Sequence, residues 1–391
     1  MATRLAKFEF QQGFHRETTP YAEGQRWFDG NYVRFRAGRP ENMRGYETRA
    51  LGTTFNGSAR DLITWSDSDS TKRAIFGTPD KLYAHDGDQI YDITPITTAV
   101  TLANVFGTSS GSTRVCCSDA GHGRAVGDYV LFTSSAAFNN VSLQDNTYQI
   151  VSVDSANVFT ISVTDAANAT GSDTGSATFK YYIPTGNSIV AAGLGYGAAK
   201  YQATVCASQT RAWNQPASAG SSGIVFDVTQ WSLDNWGEDV VANRKGSNIF
   251  YFDSDASATP TRATSVTTSP IQTNSIIVSP NDRHLVCLGT NEYAADATVS
   301  GTFNPMLVRW SDQDDRTNWV PSVSSTAGEV VLTDGTKIIG AVRSKTAINI
   351  WTDNSLWLME FAGPPFTFRF TQAGTNCGMI GQHAGVDFNG I

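Results

Sequence analysis

The chain has 391 residues and a net charge of −8, and 16% of its residues are charged, against about 25% in an ordinary globular protein. Its length allows two or three domains with sizeable cores. The net acidity argues against a protein that grips DNA tightly and reads its sequence, because such proteins neutralise phosphates with lysine and arginine. The 35 glycines and the 11% share of aromatic residues are typical of β-proteins with many tight turns and argue against a helical bundle.

No stretch reaches the roughly 18 apolar residues that span a bilayer, and the N-terminal "MATRLAKFEFQQ" lacks the apolar centre of a secretory signal. We therefore expect a protein that is made in the cytoplasm and has no membrane-spanning segment. The five cysteines are scattered, apart from the adjacent Cys116 and Cys117. Neither a disulfide framework nor a zinc site is expected from this arrangement.

Residues 1–58 are predicted to form an irregular N-terminal arm with one clear strand, "NYVRFRAG". The valine and the phenylalanine of this strand alternate with its two arginines, which is the period of a half-buried strand. Gly38 and Pro40 follow and are expected to end it.

Residues 59–98 contain four short apolar runs that are separated by turn residues. Asp86 and Gly87 lie between the last two runs, and an Asp-Gly pair in that position favours a hairpin. Four antiparallel strands in this length match one blade of a β-propeller. The segment is therefore predicted to be the first blade.

Residues 99–183 are rich in Ser, Thr, Ala and Asn and contain five strand-like runs, which predicts an inserted small β-barrel or sandwich domain. Blade-like sequence returns in residues 184–391. Trp-Ser or Trp-Thr followed by Asp recurs at 65–67, 310–312 and 351–353. We predict an all-β fold with a β-propeller-like platform. The ring of blades is expected either to close with a terminal strand at the end of this sequence or to continue in a longer chain.

The motifs of the chain do not point to catalysis. "GLGYG" at 193–197 lacks the third glycine of a dinucleotide-binding turn and the acidic residue that follows one. Three clusters of carboxylates lie in turns, where Asp accepts backbone hydrogen bonds, so turn chemistry is favoured over calcium binding or a glycosidase pair; they are Asp67 with Asp69, Asp86 with Asp88, and Asp312 with Asp314 and Asp315. The five histidines have no metal-binding spacing. We expect no enzymatic activity, no cofactor and no metal.

The strongest candidate for function is "GQRWFDGNYVRFRAGRPENMRGY" at residues 24–46. Its arginines and aromatic side chains could hold phosphates and stack bases. Acidic residues in and around it could instead pair with the arginines; these are Glu23, Asp29, Glu41 and Glu47. Because Trp and Arg dominate protein interfaces, contact between proteins or within the chain is favoured over a nucleic-acid grip. The candidate interface consists of Arg26, Trp27, Val33, Arg34, Phe35, Arg36, Arg39 and Arg44.

This stretch resembles the N-terminal signature of a family of tail proteins from short-tailed bacteriophages, called the tail nozzle, tail tubular protein B, hub or packaged-DNA stabilisation protein. In that family a tryptophan and a glycine precede a "VRFR-x-G-x-P-E" segment, and a glycine and an aromatic residue follow. The matching residues are Trp27, Gly30, Val33 to Arg36, Gly38, Pro40, Glu41, Gly45 and Tyr46, where tryptophan is usual at the last position. "AAGLGYGAAKYQ" and "SIIVSPNDRHLVCLGT" are also similar to segments of the family.

The resemblance implies a homohexameric ring that is built on β-propellers and attached below the portal and the head-tail adaptor. It also implies a central channel through which double-stranded DNA leaves the capsid, retention of the packaged genome, and contacts with tail fibres or spikes. No catalytic residues come with the family. The expected location is the tail of the virion, after assembly in the host cytoplasm.

Two other functions stay open. Propeller faces often bind sugars, and this chain has Trp and Asp at strand ends, so a tail protein that binds a receptor or binds or degrades a polysaccharide is the main rival. A plug that retains DNA is the third possibility, and it would place Arg34 and Arg36 in the lumen of the ring.

Overall fold

The structure is a computed structural model that describes residues 11, 13–16, 19, 27–43, 54–86, 89–173, 175–185, 230–256, 260–280, 282–295, 301–363 and 366–387. The chain divides into two compact units, Met1–Gly52 and Thr53–Ile391. Among the described residues, every regular element is a β-strand. That part of the chain contains no helix that is long and apolar enough to cross a membrane.

The N-terminal unit contains a hairpin of two antiparallel strands, β1 (Val33–Arg36) and β2 (Arg39–Asn42). Ala37 and Gly38 connect the strands with φ angles of 49° and 77°, and a two-residue type I′ turn requires this left-handed conformation at both positions. The predicted strand is confirmed. The predicted end of this strand is confirmed, because β1 ends at Arg36 before the turn. The sequence did not indicate the second strand, β2, which contains Pro40 at an edge position that tolerates the missing N–H.

The larger unit begins with sheet A, a four-stranded antiparallel sheet. Its strands are β3 (Asp61–Ser66), β4 (Lys72–Gly77), β5 (Leu82–Asp86) and β6 (Gln89–Asp92). They coincide with the four apolar runs of the sequence. Asp86 pairs with Gln89, so the hairpin predicted at this turn is confirmed.

The next eight strands form a single antiparallel sheet in the order β13-β8-β9-β12-β11-β10-β14-β7. The strands are β7 (Val100–Ala103), β8 (Phe106–Thr108), β9 (Arg114–Ser118), β10 (Tyr129–Ser135), β11 (Asn146–Ser155), β12 (Val158–Ser162), β13 (Gly171–Ser172) and β14 (Ser176–Tyr181). A separate core that includes Phe106, Phe132, Phe159 and Phe179 lies against this sheet. Five of the strands match the predicted runs, whereas β7, β8 and β13 were not foreseen.

Three further four-stranded antiparallel sheets follow. Sheet B contains β15 (Trp231–Trp236), β16 (Asp239–Arg244), β17 (Ile249–Phe252) and β18 (Thr264–Ser265). Sheet C contains β19 (Thr273–Val278), β20 (Leu285–Asn291), β21 (Phe303–Trp310) and β22 (Gly328–Val331). Sheet D contains β23 (Ile338–Arg343), β24 (Ala347–Thr352), β25 (Ser355–Gly363) and β26 (Thr367–Thr375).

The four-stranded sheets pack in chain order, with the first strand of one beside the first strand of the next: β3 contacts β15, β15 contacts β19, and β19 contacts β23. Apolar cores fill the spaces between neighbouring sheets. They include Ile75, Trp231 and Phe250 between A and B, Val241, Ile276 and Trp319 between B and C, and Val308, Ile350 and Phe368 between C and D. Successive four-stranded sheets whose first strands lie together define a β-propeller-like all-β fold.

Three cysteines of the described residues, Cys117, Cys287 and Cys377, are free thiols, and Cys206 lies outside the described residues. Burial raises the pKa of the Cys287 thiol to about 12, so this thiol stays protonated at neutral pH and is a poor nucleophile.

Candidate functional site

The hairpin of β1 and β2 has two chemically different faces. Val33 and Phe35 are half-buried, whereas Arg34 and Arg36 are exposed, which confirms the predicted alternation. The Phe14 ring meets the Phe35 ring edge to face, with 5.3 Å between the ring centroids. One face of the hairpin is therefore covered by an aromatic side chain of the same unit.

The Phe14 ring can cover this face because the backbone at Gly30 lies close to it. A Cβ atom added to Gly30 would lie 2.5 Å from the ring of Phe14, which leaves no room for a side chain. The amide of His15 donates to the carbonyl oxygen of Trp27 at 2.9 Å, and Phe14 forms a parallel bridge with Trp27. The matched residues Trp27 and Gly30 thus position the ring that covers the apolar face.

The opposite face of the hairpin carries the charges. Arg34 lies opposite Glu41, and its guanidinium contacts the Glu41 carboxylate through Nη2 at 3.1 Å and Nε at 3.2 Å. Arg36 lies opposite Arg39 beside the turn, and neither of them makes an ion pair or hydrogen bond with its side chain to any described residue. The structure brings together five of the eight predicted interface residues in or beside this hairpin, and Trp27 lies in the same unit; Arg26 and Arg44 lie outside the described residues.

The turn carboxylates act largely as predicted. Asp67 accepts from the amide of Thr71 at 2.9 Å and pairs with Arg73 at 2.8 Å, although it is buried and not solvated. Asp312 accepts from the amide of Thr326 at 2.8 Å and from its hydroxyl at 2.6 Å. In the described residues, no three His, Cys, Asp or Glu side chains are grouped as metal ligands would be.

A buried histidine that the sequence did not indicate connects two loops of sheet C by hydrogen bonds and contacts sheet D through its ring. His284 is fully buried; its Nδ1 lies 2.5 Å from Asp282 and its Nε2 lies 3.0 Å from the Thr326 hydroxyl. The ring also contacts Phe368 edge to face at 5.0 Å. Asp, His and a hydroxyl in this order resemble a catalytic triad, but no substrate can reach a fully buried ring. The hydrogen bonds of His284 are therefore a structural connection between loops of sheet C, and its ring packs against Phe368 of sheet D.

A polar cavity of about 230 Å³ lies where the first strands of the four sheets meet. Each of these strands contributes to its wall, and so does the segment after β26. The lining residues are Asp61 of β3, Ser232, Leu233 and Asp234 of β15, Ser275, Ile276 and Ile277 of β19, Ala341 and Arg343 of β23, and Gln382 and His383. We call this the axial cavity.

Hydrogen bonds around the axial cavity tie the sheets to one another. The Ser232 hydroxyl donates to the carbonyl oxygen of Ile276 at 2.8 Å and accepts from its amide at 3.1 Å. The Asp234 carboxylate accepts from the amide of Val278 at 2.6 Å and also pairs with Arg343. Sheets B, C and D therefore share one polar network at their first strands.

The segment after β26 closes the cavity on its remaining side. A Cβ atom on Gly340 would lie 2.8 Å from the carbonyl oxygen of Gln382, so the segment runs directly over β23. The Gln382 amide donates to the carbonyl oxygen of Trp231 at 3.5 Å. His383 Nε2 lies 4.0 Å from the Asp61 carboxylate, which connects this segment to the first sheet.

Asp61 is an acid of the cavity wall whose pKa is shifted by its surroundings. Burial raises the pKa of Asp61, and the opposing effects of His383 and of the Leu62 and Leu233 amides reverse this only in part. The Leu233 amide donates to its Oδ2 at 2.9 Å, so the carboxyl also ties sheet A to sheet B. Sequence reasoning missed the whole cavity, because its residues come from strands that lie far apart in the chain.

The fold and the site define the class of molecule: an all-β, propeller-like protein with an inserted β-sheet domain and a hairpin arm. No family model matches the chain, and no curated protein matches it. Nine solved chains do match. Among them is the phage phi92 endosialidase, which is 13% identical over 82% of this chain and 49% of that chain, with a TM-score of 0.21. The chain thus spans about half the length of that protein, and a likeness at this TM-score carries no argument about function.

Proposed function

We propose that the protein is a structural subunit of the tail nozzle of a short-tailed bacteriophage. It would form a ring, a homohexamer by analogy with the family it resembles, below the portal and adaptor, with a central channel for double-stranded DNA. The observation that carries the proposal is the folding of the "VRFRAGRPE" signature. It forms a hairpin with one face covered inside its own unit and one face of arginines open to a partner.

The open arginines suit a contact between proteins. Arg36 and Arg39 face each other across the hairpin, and like charges in directly opposed positions are destabilising. A carboxylate from another chain would relieve this repulsion with bidentate hydrogen bonds. Arg34 already has Glu41 as a partner, so Arg36 and Arg39 are the residues available to a neighbouring subunit or to the adaptor.

The charge of the chain suits a channel for DNA. A ring of several chains, each with a net charge of −8, would be strongly acidic. Such a surface repels phosphates and lets the duplex pass without adsorbing it. Sparse charge and many β-strands also suit subunits that are joined by large interfaces.

Mass measurement of the purified full-length chain, followed by electron microscopy, tests the proposal. We expect a ring, and we expect the double variant Arg36→Glu/Arg39→Glu to abolish it. The matched control is Lys72→Glu/Lys337→Glu, which changes the net charge equally at two exposed lysines of the larger unit and should leave the ring intact.

Three results would contradict the proposal or redirect it. A monomeric wild type that also fails to form a ring with its head-tail adaptor overturns it, and so does a ring that survives reversal of both arginines. If the reversed variant assembles into particles that lose packaged DNA, the arginines face the genome and the protein is a DNA-retaining plug.

A further inference from the structure

The axial cavity contains polar groups that the protein leaves unused. Ser275 is 4% exposed, lines the cavity, and its hydroxyl makes no hydrogen bond to any described residue. Gln382 donates its amide N–H to Trp231, whereas its side-chain oxygen has no donor among the described residues. Both oxygens are open to the cavity, where water or a ligand can satisfy them.

The charges of the wall compensate one another in pairs. Arg343 directs Nε at the carbonyl oxygen of Val278 at 3.1 Å and Nη2 at Asp234. His383 stands 4.0 Å from Asp61. A bare metal ion would lie near the cationic Arg343 as well as the carboxylates, and a phosphate would lie near the carboxylates as well as Arg343. Neither ligand is therefore favoured. A neutral ligand that both donates and accepts hydrogen bonds meets no such conflict.

We propose that the axial cavity binds one neutral sugar ring, such as the terminal residue of a surface glycan. Sugar hydroxyls donate and accept, as the mixed wall requires: Ser275 can do both, the Gln382 oxygen accepts, and Arg343 donates. The volume of about 230 Å³ is below the range of roughly 300 to 1,000 Å³ that is usual for drug-sized ligands, and it suits a monosaccharide.

The composition and the rigidity of the cavity wall determine the affinity that we expect for this ligand. Its wall contains no aromatic side chain, so affinity must come from hydrogen bonds, and a single small ring is then expected to bind with a Kd of about 1 mM. Since the inter-sheet hydrogen bonds hold Asp61, Asp234 and Arg343 in place without a ligand, the pocket is preorganised. Binding then loses little free energy to ordering of side chains.

Saturation-transfer NMR on the full-length chain tests this site. The probes are D-glucose, D-galactose, N-acetyl-D-glucosamine and L-rhamnose, with glycerol as an acyclic polyol control. We expect at least one sugar to receive saturation with a Kd of about 1 mM and glycerol to receive none. Ser275→Ala should weaken binding by about three- to tenfold, because one hydrogen bond is lost, whereas Ser176→Ala, at an exposed serine of the inserted domain, should not.

His383→Ala provides an independent check, because this half-exposed side chain can be removed without disturbing the fold. It should also weaken binding. The proposal is overturned if no sugar gives more transfer than glycerol, which is the result for a cavity that holds only water. It is equally overturned if Ser275→Ala folds and binds like wild type, or, should that variant unfold, if His383→Ala does. Formation of the subunit ring is measured separately on the same samples, so its outcome neither supports nor weakens the proposal of a sugar site.

Discussion

The arm hairpin and the contacts between the sheets use charged and polar side chains in opposite ways. In the hairpin, the Arg34 and Glu41 side chains are 59% and 41% exposed, and exposed ion pairs of this kind contribute about 0 to 1 kcal/mol. Between the sheets, Asp234 is 10% exposed and His284 is fully buried. Charge on the hairpin is thus available for partners, whereas polar groups between sheets hold the molecule together. Substitutions should separate the two roles.

The largest effect is expected at Trp231, which joins sheets A and B. Its ring is fully buried, its Nε1 donates to the carbonyl oxygen of Thr78 at 2.8 Å, and a Cβ atom on Gly77 would lie 2.3 Å from it. Trp231→Ala should lower the free energy of unfolding by about 3 to 5 kcal/mol, because it leaves a large cavity. Urea denaturation measures this. Phe366→Ala, at a side chain that is 79% exposed, should change stability by about 0.5 kcal/mol or less.

His284→Ala should come next, with a loss of about 3 kcal/mol. The substitution leaves Asp282 buried without its nitrogen donor and removes one of the partners of the Thr326 hydroxyl, and a buried group that loses a partner carries a desolvation penalty. The double variant His284→Ala/Thr326→Ala should cost less than the sum of the two single variants, since both remove the same hydrogen bond. Additive losses would show that the chain from Asp282 to Thr326 does not act as a unit.

A smaller, pH-dependent effect is expected at Asp61. Because burial raises the pKa of Asp61 in the folded state, the native protein holds this proton more tightly than the unfolded chain. The contribution of the carboxyl to stability is therefore present in acid, below about pH 4, and is lost as the pH rises through the folded pKa. Asp61→Asn, which cannot ionise, should gain stability relative to wild type between pH 4 and pH 7 in thermal unfolding.

Asp353 provides a control of opposite sign. The hydroxyl and the amide of Thr336 hydrogen-bond the Asp353 carboxylate and lower its pKa. Its contribution to stability is therefore present above the unfolded pKa and is lost as the pH falls. Asp353→Asn should lose stability relative to wild type as the pH rises. If both variants shift in the same direction, the environment of Asp61 is not the cause.

Local patterns predicted the fold well where the signal lies in neighbouring residues. The alternation around Val33 and Phe35 predicts β1, and the Asp-Gly pair that begins at the last residue of β5 predicts the hairpin to β6. Strand β13 is only Gly171 and Ser172, which have low strand propensity. It forms because β8 offers a pairing edge, and nothing in its own sequence indicates that.

The axial cavity could not be predicted, for a related reason. Asp61 and the amide of Leu233 are separated by the whole inserted domain, yet they are hydrogen-bonded at 2.9 Å. No periodicity or spacing in the chain encodes such a contact. The cavity exists because the first strands of all four sheets meet, and this is a property of the assembled fold. The exposure of Arg34 and Arg36 could be predicted from sequence, since it depends on the alternation along one short strand.

The smallest effect on stability is expected in the arm itself. Arg34→Ala removes one exposed ion pair with Glu41 and should change the free energy of unfolding by about 0.5 kcal/mol or less. Added salt should abolish even this difference, because exposed charges are screened.

Arg36→Ala should be neutral or slightly stabilising, since it relieves the repulsion with Arg39 across the hairpin. A loss above about 2 kcal/mol in urea denaturation would mean that these arginines serve the fold of this chain and not a partner, and the contrast between hairpin and sheets would then disappear.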